Sequence, residues 1–230
     1  MHASKVSYKV IKLTALTLFI LMQLFLIFVK RHDTLDLDIT PNTQPSPNIG
    51  GQGKVGQTFI ARRNGLARID VLLGTHKRQN DKDVFFTLRE RKPENKELIT
   101  ITFNADSVRD NLFYPFRFPP LTKSEGKEYY FFFRSPESTF ENSICVWTNT
   151  KNIYPDGQYL LNDLPDQGDL IFRVFSKRPV FTELRRIVRN YPGIFGQTWV
   201  LILAIFFFEG IQILVLSKLL DFIRQTWREH

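Results

Sequence analysis

Cysteine is almost missing from this chain. Cys145 stands alone among 230 residues, so no intramolecular disulfide can hold the fold. It lies in the alternating run Ser143-Ile144-Cys145-Val146-Trp147, where a thiol reads as a small apolar core group. Histidine is as thin: His2, His32, His76 and His230 are scattered, and three of them fall outside the folded middle. That excludes a histidine-built zinc site and a His-based triad. No Gly-rich loop leads into a Lys-Ser/Thr pair, which removes the P-loop class, and no Asn-x-Ser/Thr sequon occurs, which is permissive of a bacterial protein. The middle also lacks an excess of one charge: residues 33–178 carry 20 Lys and Arg against 19 Asp and Glu, while the rest carries 11 against 4. The net charge of +8 therefore comes from short end segments, where basic side chains meet anionic headgroups at about 1 kcal/mol each. A nucleic-acid partner would want a basic stripe on the folded domain, so none is expected.

What the chain has instead is two long apolar runs. Trp199–Leu216 is 18 residues, apolar apart from Glu209 and Gln212, close to the roughly 20 residues a helix needs to cross a bilayer. One acid costs on the order of 3 kcal/mol at a span centre, which the many Leu, Ile, Val and Phe residues offset. Leu13–Val29 is an uncharged run of 17 residues behind Lys5, Lys9 and Lys12, and it ends in Lys30-Arg31-His32-Asp33 without a small-x-small cleavage site. It reads as an uncleaved signal anchor. The expected order is a cytoplasmic basic N-terminus (1–12), a first span (13–29), a Pro/Gly/Asn-rich linker (30–53), an extracytoplasmic domain (54–178), an interfacial helix (179–191), a second span (197–217) and a cytoplasmic amphipathic tail (218–230) that lies on the membrane surface. In the interfacial helix Val180, Leu184, Ile187, Val188 and Tyr191 share one face, and Arg185, Arg186 and Arg189 share the membrane-surface-binding other.

Between the spans the texture becomes short alternating apolar runs separated by turn residues. Thr58–Ile60, Ala67–Leu73, Val84–Leu88, Leu98–Phe103, Phe113–Phe118, Tyr129–Phe133, Ile144–Thr148, Tyr159–Leu161 and Leu170–Phe175 predict strands, punctuated by Arg63-Asn64-Gly65, Pro119-Pro120 and Pro155-Asp156-Gly157. The expected fold is an all-β two-sheet sandwich of jelly-roll type flanked by two transmembrane helices. Phe59, Leu72, Phe86, Phe116, Phe118, Tyr130, Phe132, Trp147, Phe172 and Val174 form the predicted core.

Candidate chemistry is sparse. Asp81 with Asp83, and Asp163, Asp166 with Asp169, are carboxylate groupings of the kind used in glycoside chemistry or calcium binding, yet acids between strands are ordinarily turn formers and no spaced calcium-loop pattern occurs. No catalytic residue, metal or cofactor is therefore assigned. Tyr114, Trp147, Tyr154 and Tyr159 are a candidate stacking platform for sugar rings, with Asn111, Asn149, Asp156 and Asn162 to bond hydroxyls; the competing reading is that these rings fill the core. Glu209, with Gln212 and with Gln23 of the first span, is the candidate partner contact inside the membrane, since an intramembrane carboxylate normally faces protein or water.

Gly56-Gln57-Thr58-Phe59, Asp110-Asn111, Phe116 and Phe118 with Pro119-Pro120, Ser124, Gly126-Lys127, Tyr129-Tyr130-Phe131, Val146-Trp147, Tyr154 with Gly157, and Gly168-Asp169-Leu170 with Phe172-Arg173 span roughly residues 55–175. In these turn and core positions the middle resembles a β-sandwich module that recurs in bacterial membrane proteins, often joined to or encoded among membrane glycosyltransferases and polysaccharide-assembly proteins. The resemblance implies a carbohydrate-binding-like sandwich and carries over no catalytic residue. The expectation is a non-enzymatic protein of the bacterial inner membrane that binds a glycan or assists a glycan-assembly partner such as a glycosyltransferase. The alternative is an assembly subunit that makes protein contacts only.

Overall fold

The computed structural model describes residues 2–91 and 96–229. It divides into two units: residues 33–177 form one, and residues up to 32 together with those from 178 onward form the other.

The first unit is built from β-strands because its apolar residues recur every second position between turns. The strands are β1 (Arg31–Asp38), β2 (Gln44–Pro45), β3 (Val55–Ile60), β4 (Leu66–Gly74), β5 (Asp83–Glu90), β6 (Lys96–Asn104), β7 (Leu112–Leu121), β8 (Glu128–Arg134), β9 (Cys145–Asn149), β10 (Tyr159–Leu161), β11 (Leu164–Pro165), β12 (Asp169–Leu170) and β13 (Phe172–Pro179). One sheet runs β1-β13-β4-β9-β12, with β7 on β4 and β2 on β9; the other runs β11-β10-β3-β8-β5-β6. Eight of the nine predicted strands are present as single strands, and the ninth, Leu170–Phe175, is split between β12 and β13, which β4 and β9 separate in the sheet. The inner faces of the two sheets meet in an aromatic core: Phe86 stacks on Phe116 with centroids 4.1 Å apart, and Phe131 and Phe59 meet Phe172 at 5.2 and 5.9 Å. Such pairs add about 0.5–1.5 kcal/mol beyond their burial.

Three further expectations change in this unit. The segment read as a linker contains β1, an edge strand beside β13 whose Asp33 bonds Arg68 and Arg117. Its alternation, Leu35, Leu37 and Ile39 with acids between them, is short enough to be hidden by the neighbouring prolines. In β8 the parity is reversed. Tyr129, Phe131 and Phe133 enter the core, whereas Tyr130 and Phe132 form a separate cluster with Leu160 on the opposite face. Five consecutive apolar residues leave no alternation to read. The outer pair is covered by Lys54, whose Nζ lies 4.0 Å from the Phe132 centroid, and by Gly56, where a Cβ would come within 2.5 Å of the Tyr130 ring. Trp147 is only half-buried and packs at the margin of the core.

A buried polar link ties the sheets. Asp169 on β12 accepts hydrogen bonds from Gln57 Nε2 of β3 (3.1 Å) and from the backbone N–H of Ile153 (2.7 Å) and Tyr154 (2.9 Å), while Gln57 Oε1 accepts from Leu170 N at 2.9 Å. Burial raises the Asp169 pKa above its ordinary value, against the lowering effect of these donors.

The second unit contains α1 (His2–Leu24), which ends in a π-helical turn over Phe25–Val29, then α2 (Val180–Arg189) and α3 (Thr198–Glu229). Tyr8–Val29 and Thr198–Trp227 are each long and apolar enough to span a bilayer. The tail read as a separate surface helix instead continues α3 without a break to Glu229, because the stretch from Ser217 to Glu229 contains neither proline nor glycine to end the helix.

Candidate functional site

The strand registers place both chain junctions of the sandwich at one pole. Ser176 pairs with Leu66 at the start of β4, Lys177 N donates to Gly65 O, and Asp33 reaches Arg68. Strand β4 then runs to Gly74 at the opposite pole, where the connections β4–β5, β6–β7 and β8–β9 gather with the segment before β3.

That loop pole holds a cleft of about 680 Å³, lined by Arg78, Gln79, Asn80, Asp81, Asp106, Glu141 and Asn142 among others. Side chains fix the loops. Asn80 Nδ2 donates to Thr75 O (3.2 Å) and Arg78 O (3.3 Å), and Asp110 Oδ1 accepts from Thr75 N (2.7 Å). Asn104 Nδ2 donates to Asp81 O (2.9 Å), and Asn142 Oδ1 accepts from Thr139 N (2.7 Å). The Arg78 guanidinium bonds Phe140 O and lies 4.7 Å from the Phe140 centroid, yet that ring remains 74% exposed. The cleft thus offers amides, carboxylates and a guanidinium beside an open aromatic, a set that bonds hydroxyls and stacks on flat apolar faces. Among the described residues no group of three or more His, Cys, Asp and Glu is placed to hold a metal ion.

The proposed aromatic platform is not assembled. Trp147 and Asn111 do come together: indole Nε1 donates to Asn111 Oδ1 at 2.7 Å, and both line a smaller cleft of about 240 Å³ with His76 and Lys77. Tyr114 stacks on Phe103 at 4.9 Å, with its hydroxyl against Ser107. Tyr154 is 3% exposed, and its hydroxyl accepts from Ile60 N. Tyr159, also 3% exposed, lines a third cleft elsewhere. Asn149 is buried and donates to Pro41 O; Asn162 is a turn residue at φ 54° that accepts from Lys54 N; Asp156 is an exposed turn residue. The carboxylate groupings separate too. Asp163 pairs with Lys54 and Tyr130, Asp169 is internal, and Asp166 lies by Tyr159. Asp83 accepts from Asn104 Nδ2 while Asp81 lines the large cleft. Burial pushes the Cys145 thiol up to about 11, consistent with an inert core cysteine. Sequence reasoning passes over Phe140; its signal is one large apolar residue inside the polar turn segment Ser138-Thr139-Phe140-Glu141-Asn142.

In the helical unit, Gln23 Nε2 donates to Gln212 Oε1 at 3.1 Å, while Lys12 Nζ lies 2.6 Å from an Asp221 oxygen. Glu209 is 6% exposed, and its Oε2 has no hydrogen-bond partner among the described residues, so the carboxylate sits within this unit and Gln23 bonds Gln212 in its place. On α2, Arg185 and Arg189 are exposed and Arg186 pairs with Glu183 at 3.2 Å.

Comparison with protein-family models, curated proteins and solved structures finds no match for the chain.

Proposed function

We propose that this chain is a non-enzymatic envelope protein that binds a glycan through the loop pole of its sandwich, as an accessory to cell-surface polysaccharide assembly. The supporting observation is the polar cleft of about 680 Å³ at the pole opposite both chain junctions, with the exposed Phe140 at its margin. Its volume lies within the roughly 300–1,000 Å³ of small-molecule sites. Its lining mixes donors and acceptors as hydroxyl-rich ligands require. The two apolar helices anchor the chain in the bacterial inner membrane with both termini cytoplasmic and the sandwich extracytoplasmic, a direction supported by the signal-like start of the chain. A membrane glycosyltransferase is the fitting protein partner, on the resemblance described above.

The test is co-sedimentation of the full chain in lipid nanodiscs with purified bacterial cell-envelope polysaccharide. Saturable retention that weakens in Asp106→Ala/Glu141→Ala is expected; absence of retention, or retention indifferent to these substitutions, contradicts glycan binding at the pole.

A further inference from the structure

Three clefts of the sandwich are linked by shared walls. Thr139 lines both the polar cleft at the loop pole and a second cleft of about 590 Å³ containing Phe140, Gly50 and Gly51. Pro47 lines both that second cleft and a third of about 430 Å³, which reaches Tyr159, Asp166 and Gln167. The chain segment 44–51 therefore floors a path from the pole to the flank where β2 and β9 of one sheet approach β10 and β11 of the other. Polarity alternates along it. The two ends present amides and carboxylates, and the middle presents the Phe140 ring and bare glycine backbone.

Each end also carries an oxygen whose hydrogen-bonding capacity is unused. Asn80 Oδ1 at the pole and the Tyr159 hydroxyl at the flank are buried without a hydrogen-bond partner among the described residues. Burial pushes the Tyr159 pKa up to about 12, so the group remains a neutral hydroxyl able to donate. Buried polar atoms are ordinarily paired, and two unpaired ones at the ends of one path need an explanation.

We propose that the three clefts form a single track for a linear, hydroxyl-rich polymer, with Asn80 and Tyr159 serving ring hydroxyls at its two ends and Phe140 stacking on a ring between them. This rests on the glycan reading above and deepens it: the ligand is an extended chain of several sugar units, engaged along its length.

The experiment applies the full chain in nanodiscs to an array of immobilised bacterial-type oligosaccharides from monosaccharides to octasaccharides. Three variants sample the path. Gln79→Ala acts at the pole, Phe140→Ala in the middle and Tyr159→Phe at the flank. Tyr159→Phe removes a hydroxyl that bonds nothing among the described residues, so its melting temperature is expected to be unchanged or raised. The track predicts affinity that climbs with chain length over several units and falls about tenfold in each variant. Short sugars bound as well as long ones, or long chains bound by Tyr159→Phe as by the parent, would overturn the track and leave glycan binding at the pole intact. Silence across the whole array would overturn both.

Discussion

The tripeptide Phe-Phe-Phe occurs twice with opposite fates. Phe131, Phe132 and Phe133 lie on β8 and are wholly buried, two in the sandwich core and one beneath Lys54 on the other face. Phe206, Phe207 and Phe208 lie on α3 and are mostly exposed. A strand sends successive side chains to opposite faces, and β8 stays dry because both faces are covered. A helix spreads three neighbours over most of its circumference, and here that surface is apolar all round. The same residues therefore report the solvent each region is built for: water excluded by protein in one, lipid in the other.

The largest expected effect breaks this contrast directly. Phe131→Ala should destabilise the sandwich by about 3–5 kcal/mol through the cavity it leaves, whereas Phe207→Ala should leave sandwich unfolding unchanged. Denaturant titration of the full chain in nanodiscs, followed by the β-sheet circular-dichroism signal, measures both; equal shifts would erase the distinction.

A smaller effect sharpens it through pH. Burial draws the Asp33 carboxyl up, but Arg117 and Arg68 outweigh it and hold its pKa below the ordinary 3.8. A lowered folded-state pKa contributes stability that is present above about 3.8 and is lost as pH falls through the folded value. Thermal melts of the sandwich between neutral and acid pH should therefore show a steeper acid loss in the parent than in Asp33→Asn. Identical pH profiles would remove Asp33 from the edge-strand account.

The smallest effect belongs to the helices. Gln23→Leu deletes the hydrogen bond to Gln212, and interhelical bonds of this kind contribute about 0.6 kcal/mol in membranes. Steric trapping in bicelles should register a shift of that order, and a loss of several kcal/mol would mean that Gln23 does more than pair with Gln212.

The strands and apolar helices were legible because each repeats one period over many residues. Strand β1 was not, since its alternation of Leu35, Leu37 and Ile39 stops at Pro41 and sits in a stretch whose prolines and glycines read as a linker. The inner face of β8 was hidden because Tyr129–Phe133 is apolar throughout. The site was harder still. Tyr154 and Tyr159 are chemically indistinguishable in sequence from surface stacking residues, and only the assembled fold buries them against the core. Arg78, Asn80, Asp106 and Glu141 come from three separate connections, so no local spacing could announce that they meet.

Alkaline carbonate extraction of membranes carrying the full chain tests the central claim most directly, that a sheet-built body is held to lipid through helices at both of its ends. The account predicts that the protein stays in the membrane pellet, and that it still does so when either apolar helix alone is deleted. Release of the intact chain into the carbonate supernatant would contradict it.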